Sequence, residues 1–78
     1  MYLDPYPCGN MTIHNNTDFY GGDIDVYVDI SWSACCSLCL LNPACQGYTW
    51  RINARNCYLK GTINPDNFDS NCTSAKYP

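Results

Sequence analysis

Histidine occurs once in this chain of 78 residues, and basic residues number four against seven acidic ones. The single histidine, His14, sits in an Asn-rich run with Asn15 and Asn16. Catalytic triads, Cys–His pairs and paired carboxylates all need convergent groups, which this composition does not supply. The expectation is a non-catalytic chain without a cofactor. Zinc is excluded on similar grounds, because a structural site takes paired knuckles of Cys or His and only Cys36 and Cys39 have that spacing. The cations Arg51, Arg55, Lys60 and Lys76 are scattered, whereas nucleic acid and anionic lipid select clustered positive charge. No apolar run approaches the ~20 residues of a membrane span. The longest, Ala34 to Leu41, is short and broken by cysteine and serine. The start, Met1-Tyr2-Leu3-Asp4-Pro5, has neither a basic region nor an apolar core of the kind a secretory leader carries.

What the chain does have is cysteine. Seven of them stand at 8, 35, 36, 39, 45, 57 and 72. A domain this small buries too little surface to rely on hydrophobic burial alone, and small scaffolds use covalent staples instead. That density predicts a disulfide framework and an oxidising compartment, extracellular, secreted or at the cell surface. Export implies either that Met1 is not native to the chain or that the chain comes from a longer precursor. Three Asn-x-Ser/Thr triplets begin at Asn10, Asn15 and Asn71, while Asn42 and Asn64 are each followed by proline. The three are candidate acceptors of N-linked glycans. Glycans at Asn10 and Asn15 would coat one edge of the domain, whereas pairing of Cys72 would restrict access at Asn71.

The coarse order of elements is legible. Residues 1–7, with Tyr2, Pro5, Tyr6 and Pro7, predict an extended tail before Cys8. Gly9-Asn10 and Asn15-Asn16-Thr17-Asp18 carry turn chemistry, and Gly21-Gly22 predicts a turn. From Asp23 the pattern alternates, with Asp23, Asp25, Tyr27 and Asp29 on one face and Ile24, Val26, Val28 and Ile30 on the other. This predicts a half-buried strand with the Ile/Val side inward and a solvated acidic side. Ser31 has the chemistry of an N-cap, opening a helix over about Trp32 to Leu41 that ends before Asn42-Pro43. Cys35 and Cys39, four apart, share a face of it. Strands are expected over Gln46–Arg51, Asn56–Lys60 and about Asn71–Tyr77, with a hairpin loop around Asn53–Asn56 and a turn-like Asn64–Asn67 segment.

The runs Ser31-Trp32-Ser33-Ala34-Cys35-Cys36-Ser37-Leu38-Cys39, Asn42-Pro43-Ala44-Cys45-Gln46-Gly47-Tyr48-Thr49-Trp50 and Asn56-Cys57-Tyr58-Leu59-Lys60 together resemble the PAN/Apple domain family. Asp18-Phe19-Tyr20-Gly21-Gly22-Asp23-Ile24 is similar to family members as well. The resemblance spans roughly residues 8 to 72 as one domain, with 73–78 as a strand end and tail. It implies an α+β fold, a curled antiparallel sheet of about five strands packed on one helix. It also implies the pairs Cys39–Cys45, Cys35–Cys57 and Cys8–Cys72. The last loop, the longest, would stabilise by roughly 4 kcal/mol on the chain-entropy model. Cys36 is then the odd cysteine, either a buried thiol or half of an intermolecular bond.

Two functions follow as expectations. The first is an extracellular recognition module for a protein or carbohydrate ligand, as the resemblance implies. Tyr20, Tyr27 and Tyr58 are the candidate surface aromatics, while Trp32, Tyr48 and Trp50 pack between helix and sheet. The second is a self-assembling subunit of a glycosylated extracellular fibre or matrix. There Tyr2, Tyr6 and Tyr77 in the aromatic-proline tails would contact neighbouring copies and build a homo-oligomer or polymer.

Overall fold

The computed structural model of the chain describes residues 8–78. Ser31 opens the helix as the residue type requires. Its side-chain oxygen accepts the Ala34 N–H at 3.1 Å, and α1 runs Trp32–Leu41. Such a cap is worth about 1 kcal/mol. At the other end Asn42 leaves the helix in an extended conformation, its N–H reaching the Cys39 carbonyl. Its side chain accepts the Ala44 N–H across Pro43.

The remaining elements are five strands: β1 Thr12–Asp18, β2 Asp23–Tyr27, β3 Gly47–Arg51, β4 Asn56–Lys60 and β5 Asn67–Lys76. They form one antiparallel sheet in the order β1-β5-β3-β4-β2. The helix packs on β3 and β4. The fold is thus α+β, with one helix on one face of an open five-stranded sheet.

The buried cluster on the helix side consists of Cys8, Cys35, Cys36, Cys39, Cys45 and Cys57 with Met11, Tyr48, Leu59 and Ala75. Cystine takes the place that branched aliphatics hold in larger domains. Tyr48 is fully buried and receives the Trp32 indole N–H at 2.7 Å. Trp50 donates its own indole N–H to the Ile30 carbonyl at 3.1 Å and stacks on Trp32 with centroids 6.2 Å apart. The three aromatics therefore clamp the segment before the helix onto β3.

The disulfides are Cys8–Cys36, Cys35–Cys57 and Cys39–Cys45, and Cys72 is a free, buried thiol. This corrects the expected Cys8–Cys72 pair and the unpaired Cys36. The reason is strand parity. Cys72 faces Arg51 in the β3–β5 register, and Arg51 points away from the helix, as does every second residue of β3 counted from Gly47. Cys8 lies in the cluster on the helix side. Neighbouring helix residues diverge, so Cys35 reaches β4 while Cys36 reaches Cys8, with Cα atoms 5.8 Å apart. Loops of 28 and 22 residues contribute roughly 3.5 kcal/mol each on the chain-entropy model.

Three strand expectations also change. The Asn-rich segment 12–18 is an edge strand, not loop: it pairs with β5, and Asn16, at φ 57°, absorbs a bulge between Asn15 and Thr17. Asparagine tolerates that left-handed conformation. β5 starts at Asn67, inside the segment expected to turn. In β2 a register shift between Asp23 and Asp25 inserts Ile24 and reverses the facing of the later strand residues. Asp25 and Tyr27 consequently share the face of Leu59 and Cys57, while Ile24, Val26 and Val28 are 44%, 46% and 67% exposed. The strand also ends at Tyr27; Asp29 bends the chain at φ 53° and pairs with Arg55 at 3.2 Å.

Candidate functional site

The sheet face opposite the helix is crossed by the segment that joins β1 to β2. A chain of hydroxyls fastens it there. The Phe19 N–H donates to Thr49 Oγ1 at 3.1 Å, Thr49 Oγ1 meets Ser74 Oγ at 2.7 Å, and Ser74 Oγ donates to the Thr17 carbonyl at 2.6 Å. With Ser74 donating to the carbonyl, the Thr49 hydroxyl is the donor of the middle bond. Phe19 is fully buried beneath the crossing, with the His14 ring edge-on at 5.7 Å and Lys76 Nζ over its ring at 5.7 Å. The lone histidine thus serves packing on this face. Gly22, at φ 72°, completes the crossing. A Cβ there would lie 2.4 Å from the Thr62 carbonyl oxygen, so glycine is required.

Between this crossing and the sheet lies a cleft of about 260 Å³, lined by Asp18, Tyr20, Gly21, Asp23, Arg51, Tyr58 and Lys60. Asp18 closes β1 and Asp23 opens β2, whereas Arg51, Tyr58 and Lys60 are outward positions of β3 and β4. Each cation already has a carboxylate. Arg51 lies 4.0 Å from Asp18 and 3.5 Å from Asp69. Lys60, its side chain only 3% exposed, is bonded to Asp23. Tyr20 stands on the rim, 73% exposed, and its carbonyl accepts the Asn64 amide at 2.8 Å. The Tyr58 ring carries Lys60 Nζ 5.6 Å from its centroid.

Beside the cleft, donor atoms of Asp18, Asp69 and Cys72 lie within 4.8 Å of one another. Arg51 occupies this neighbourhood, and its one positive charge is shared between the two carboxylates. Burial pushes the Cys72 thiol up to about 11, the Arg51 charge offsetting it only in part. The backbone N–H of Asn71, at 2.9 Å, holds Asp69 below the usual carboxylate range, with further help from Cys72 and Arg51. Burial opposes the Arg51 charge, but Cys72, Tyr58 and Asp69 outweigh it and keep the guanidinium firmly protonated.

Of the three surface aromatics singled out in the sequence, Tyr20 and Tyr58 meet at this cleft. Tyr27 does not: it packs from the helix side of the sheet and donates its hydroxyl to Asp25 at 2.9 Å, which raises its pKa. Asp18, Asp23, Arg51 and Lys60 were not singled out. The sequence signal for Arg51 and Lys60 is alternation within β3 and β4, and that for Asp23 is the acidic alternation of β2; Asp18, at the end of β1, carries none. Tyr2 and Tyr6 lie outside the described residues, and Tyr77 is half-buried against the core. Asn10 and Asn15 are exposed, and Asn71 is partly buried.

Comparison with curated proteins yields no match. No helix among the described residues is long and apolar enough to cross a membrane. The family model of the PAN domain matches residues 17–60, more than half of the chain and inclusive of the crossing segment, the helix, β3 and β4. PAN domains are protein- and carbohydrate-binding modules, generally non-catalytic, that occur in extracellular proteins, and three disulfides fit that setting. By fold, cysteine framework and this match, the chain belongs to the PAN domain family.

Proposed function

We propose that the chain is an extracellular carbohydrate-recognition module that holds one neutral sugar residue in the outer-face cleft. The observation that carries this reading is Lys60. Its ammonium has three N–H donors, and among the described residues a single oxygen, that of Asp23, accepts from it, although the side chain is only 3% exposed at the cleft's edge. A buried donor is costly to leave unmade, so an oxygen-rich ligand is favoured there.

The charge balance selects the kind of ligand. Asp18 and Asp23 offset Arg51 and Lys60 within the lining. A free anion therefore gains no uncompensated cation, while a polyol finds donors and acceptors held in place by ion pairs. Tyr20 offers a ring face to sugar C–H groups, as amphipathic aromatics do at binding surfaces. The volume falls below the roughly 300–1,000 Å³ of drug-sized pockets, which suits one ring rather than an oligosaccharide.

Titration of isotope-labelled protein with neutral hexoses, N-acetylhexosamines and acidic sugars, followed by amide NMR, tests this. Neutral sugars should shift the amides of Tyr20, Gly21, Gly22 and Lys60 at millimolar concentration. Shifts confined to other surfaces, or tighter binding of acidic than of neutral sugars, would refute it. The self-assembling alternative has less support. Tyr77 is committed to its own domain, with its N–H donating to the Gln46 carbonyl at 3.3 Å.

A further inference from the structure

We propose that the folded domain carries N-linked glycans at Asn10 and Asn15, both at the β1 edge of the sheet, and that its fold excludes one at Asn71. The inference rests on what each side-chain amide is doing, independently of the cleft.

Asn10 is exposed in the turn between Cys8 and β1, and its side chain makes no hydrogen bond among the described residues. Asn15 is exposed on β1 beside the bulge. Its Oδ1 accepts from Thr73 Oγ1 at 3.1 Å, but its Nδ2 donates to nothing among the described residues. A sugar on either Nδ2 breaks no contact. Asn71 differs. Its Oδ1 accepts the Asn53 N–H at 3.0 Å and its Nδ2 donates to Asn53 Oδ1 at 2.8 Å. Both contacts go to one residue, so they use the amide edge on which the oxygen and one Nδ2 hydrogen lie side by side. Glycosylation makes a secondary amide, and the trans form of such an amide places the substituent on the oxygen's side. The sugar therefore replaces the hydrogen that Asn53 requires. Next to it, Cys72 is fully buried and Thr73 is 5% exposed, so the rest of the triplet is withdrawn as well.

The transfer uses a lipid-linked oligosaccharide diphosphate of the secretory pathway. The bond from Nδ2 to sugar C1 forms, the C1–O bond to diphosphate breaks, the lipid diphosphate leaves, and Nδ2 loses one proton. The consequence is positional. β1 is one of two open edges of the sheet, and unpaired edges invite pairing with other chains. Glycans at Asn10 and Asn15 would shield it and leave β2 as the bare edge.

The test is secretion of the full chain from eukaryotic cells behind an added leader. Glycan removal by peptide-N-glycosidase in heavy-oxygen water then marks each former acceptor for mass spectrometry. Label at both Asn10 and Asn15 in most molecules, with none at Asn71, is expected. Label at Asn71 in the folded secreted fraction, or its absence at Asn10 or Asn15, overturns the assignment. A second measurement uses unglycosylated, refolded chain. The Asn71 Nδ2 proton on the oxygen's side, which Asn53 accepts, should exchange with solvent at least tenfold more slowly than the corresponding protons of Asn10 and Asn15, and equal rates would remove the basis for excluding Asn71.

Discussion

Arg51 and Cys72 stand opposite each other in the β3–β5 ladder, on the sheet face that the helix leaves uncovered. This relationship places the seventh cysteine away from the other six and sets its chemistry. It also ties the free thiol to the cluster of Asp18 and Asp69 beside the cleft.

The disulfide map is the first consequence. Non-reducing peptide mapping should recover a Cys8–Cys36 bridge and no Cys8–Cys72 bridge. Replacing Cys8 and Cys36 together by alanine should cost roughly 3.5 kcal/mol, the closure entropy of their loop. In a domain of this size that lowers Tm by well over 10 °C. Cys72→Ala should cost about 1 kcal/mol, as a small buried truncation does. Equal losses in calorimetry would contradict the pairing.

The thiol itself gives a pH dependence. Its pKa rises from an ordinary 9.0 to about 11 through burial. Between these values the unfolded chain binds fewer protons than the native one, so stability falls as pH rises through that window. Cys72→Ala should lack this component. Urea unfolding at several alkaline pH values, wild type against variant, isolates it from the tyrosines and lysines that titrate nearby. Native protein should also react slowly with thiol reagents at neutral pH.

Asp69 acts in the opposite sense. Its carboxylate is held below the ordinary 3.8, chiefly by the Asn71 N–H. The stabilisation is complete above that ordinary value and is lost as pH falls through the depressed one. Asp69→Asn should flatten the acid limb of the stability profile by lowering stability at neutral pH, while changing little below the depressed pKa. An unchanged acid limb would show that the contact is not formed in solution.

Two substitutions separate binding from folding at the cleft. Tyr20→Ala removes a side chain on an exposed rim, so stability should stay within about 0.5 kcal/mol. Sugar affinity should drop by about tenfold or more, equivalent to roughly 1.4 kcal/mol. Lys60→Met should weaken both, because it strands Asp23 beside a buried position. A Tyr20→Ala variant that binds neutral sugars as well as wild type would move the site elsewhere.

Glycine chemistry in the crossing segment offers a further check. Gly22→Ala sets a Cβ against the Thr62 carbonyl at a residue with φ 72°, and should destabilise by about 1–3 kcal/mol. Gly21→Ala meets only the end of the Asn64 side chain, at 3.0 Å, and should cost less. Thermal unfolding of the pair would reverse the assignment of strain if Gly21→Ala were the worse variant.

Much of this protein was determined by local sequence. Ser31 and Asn42-Pro43 bound the helix because capping and proline sterics act within a few residues. β3 and β4 follow from the aromatic residues Tyr48, Trp50 and Tyr58 in two short runs around a short turn, and the need for disulfides follows from size and cysteine number. The features left to the tertiary structure depended on partners distant in the chain. The Asn-rich segment 12–18 becomes a strand only because β5 lies beside it, and the register shift in β2 turns Val26 outward only where that strand meets β4. Cys72 is free because strand parity sets it on the face opposite Cys8. The cleft, too, brings together Asp18, Asp23, Arg51 and Lys60 from four strands, through a crossing whose hydroxyl network no short stretch of sequence encodes.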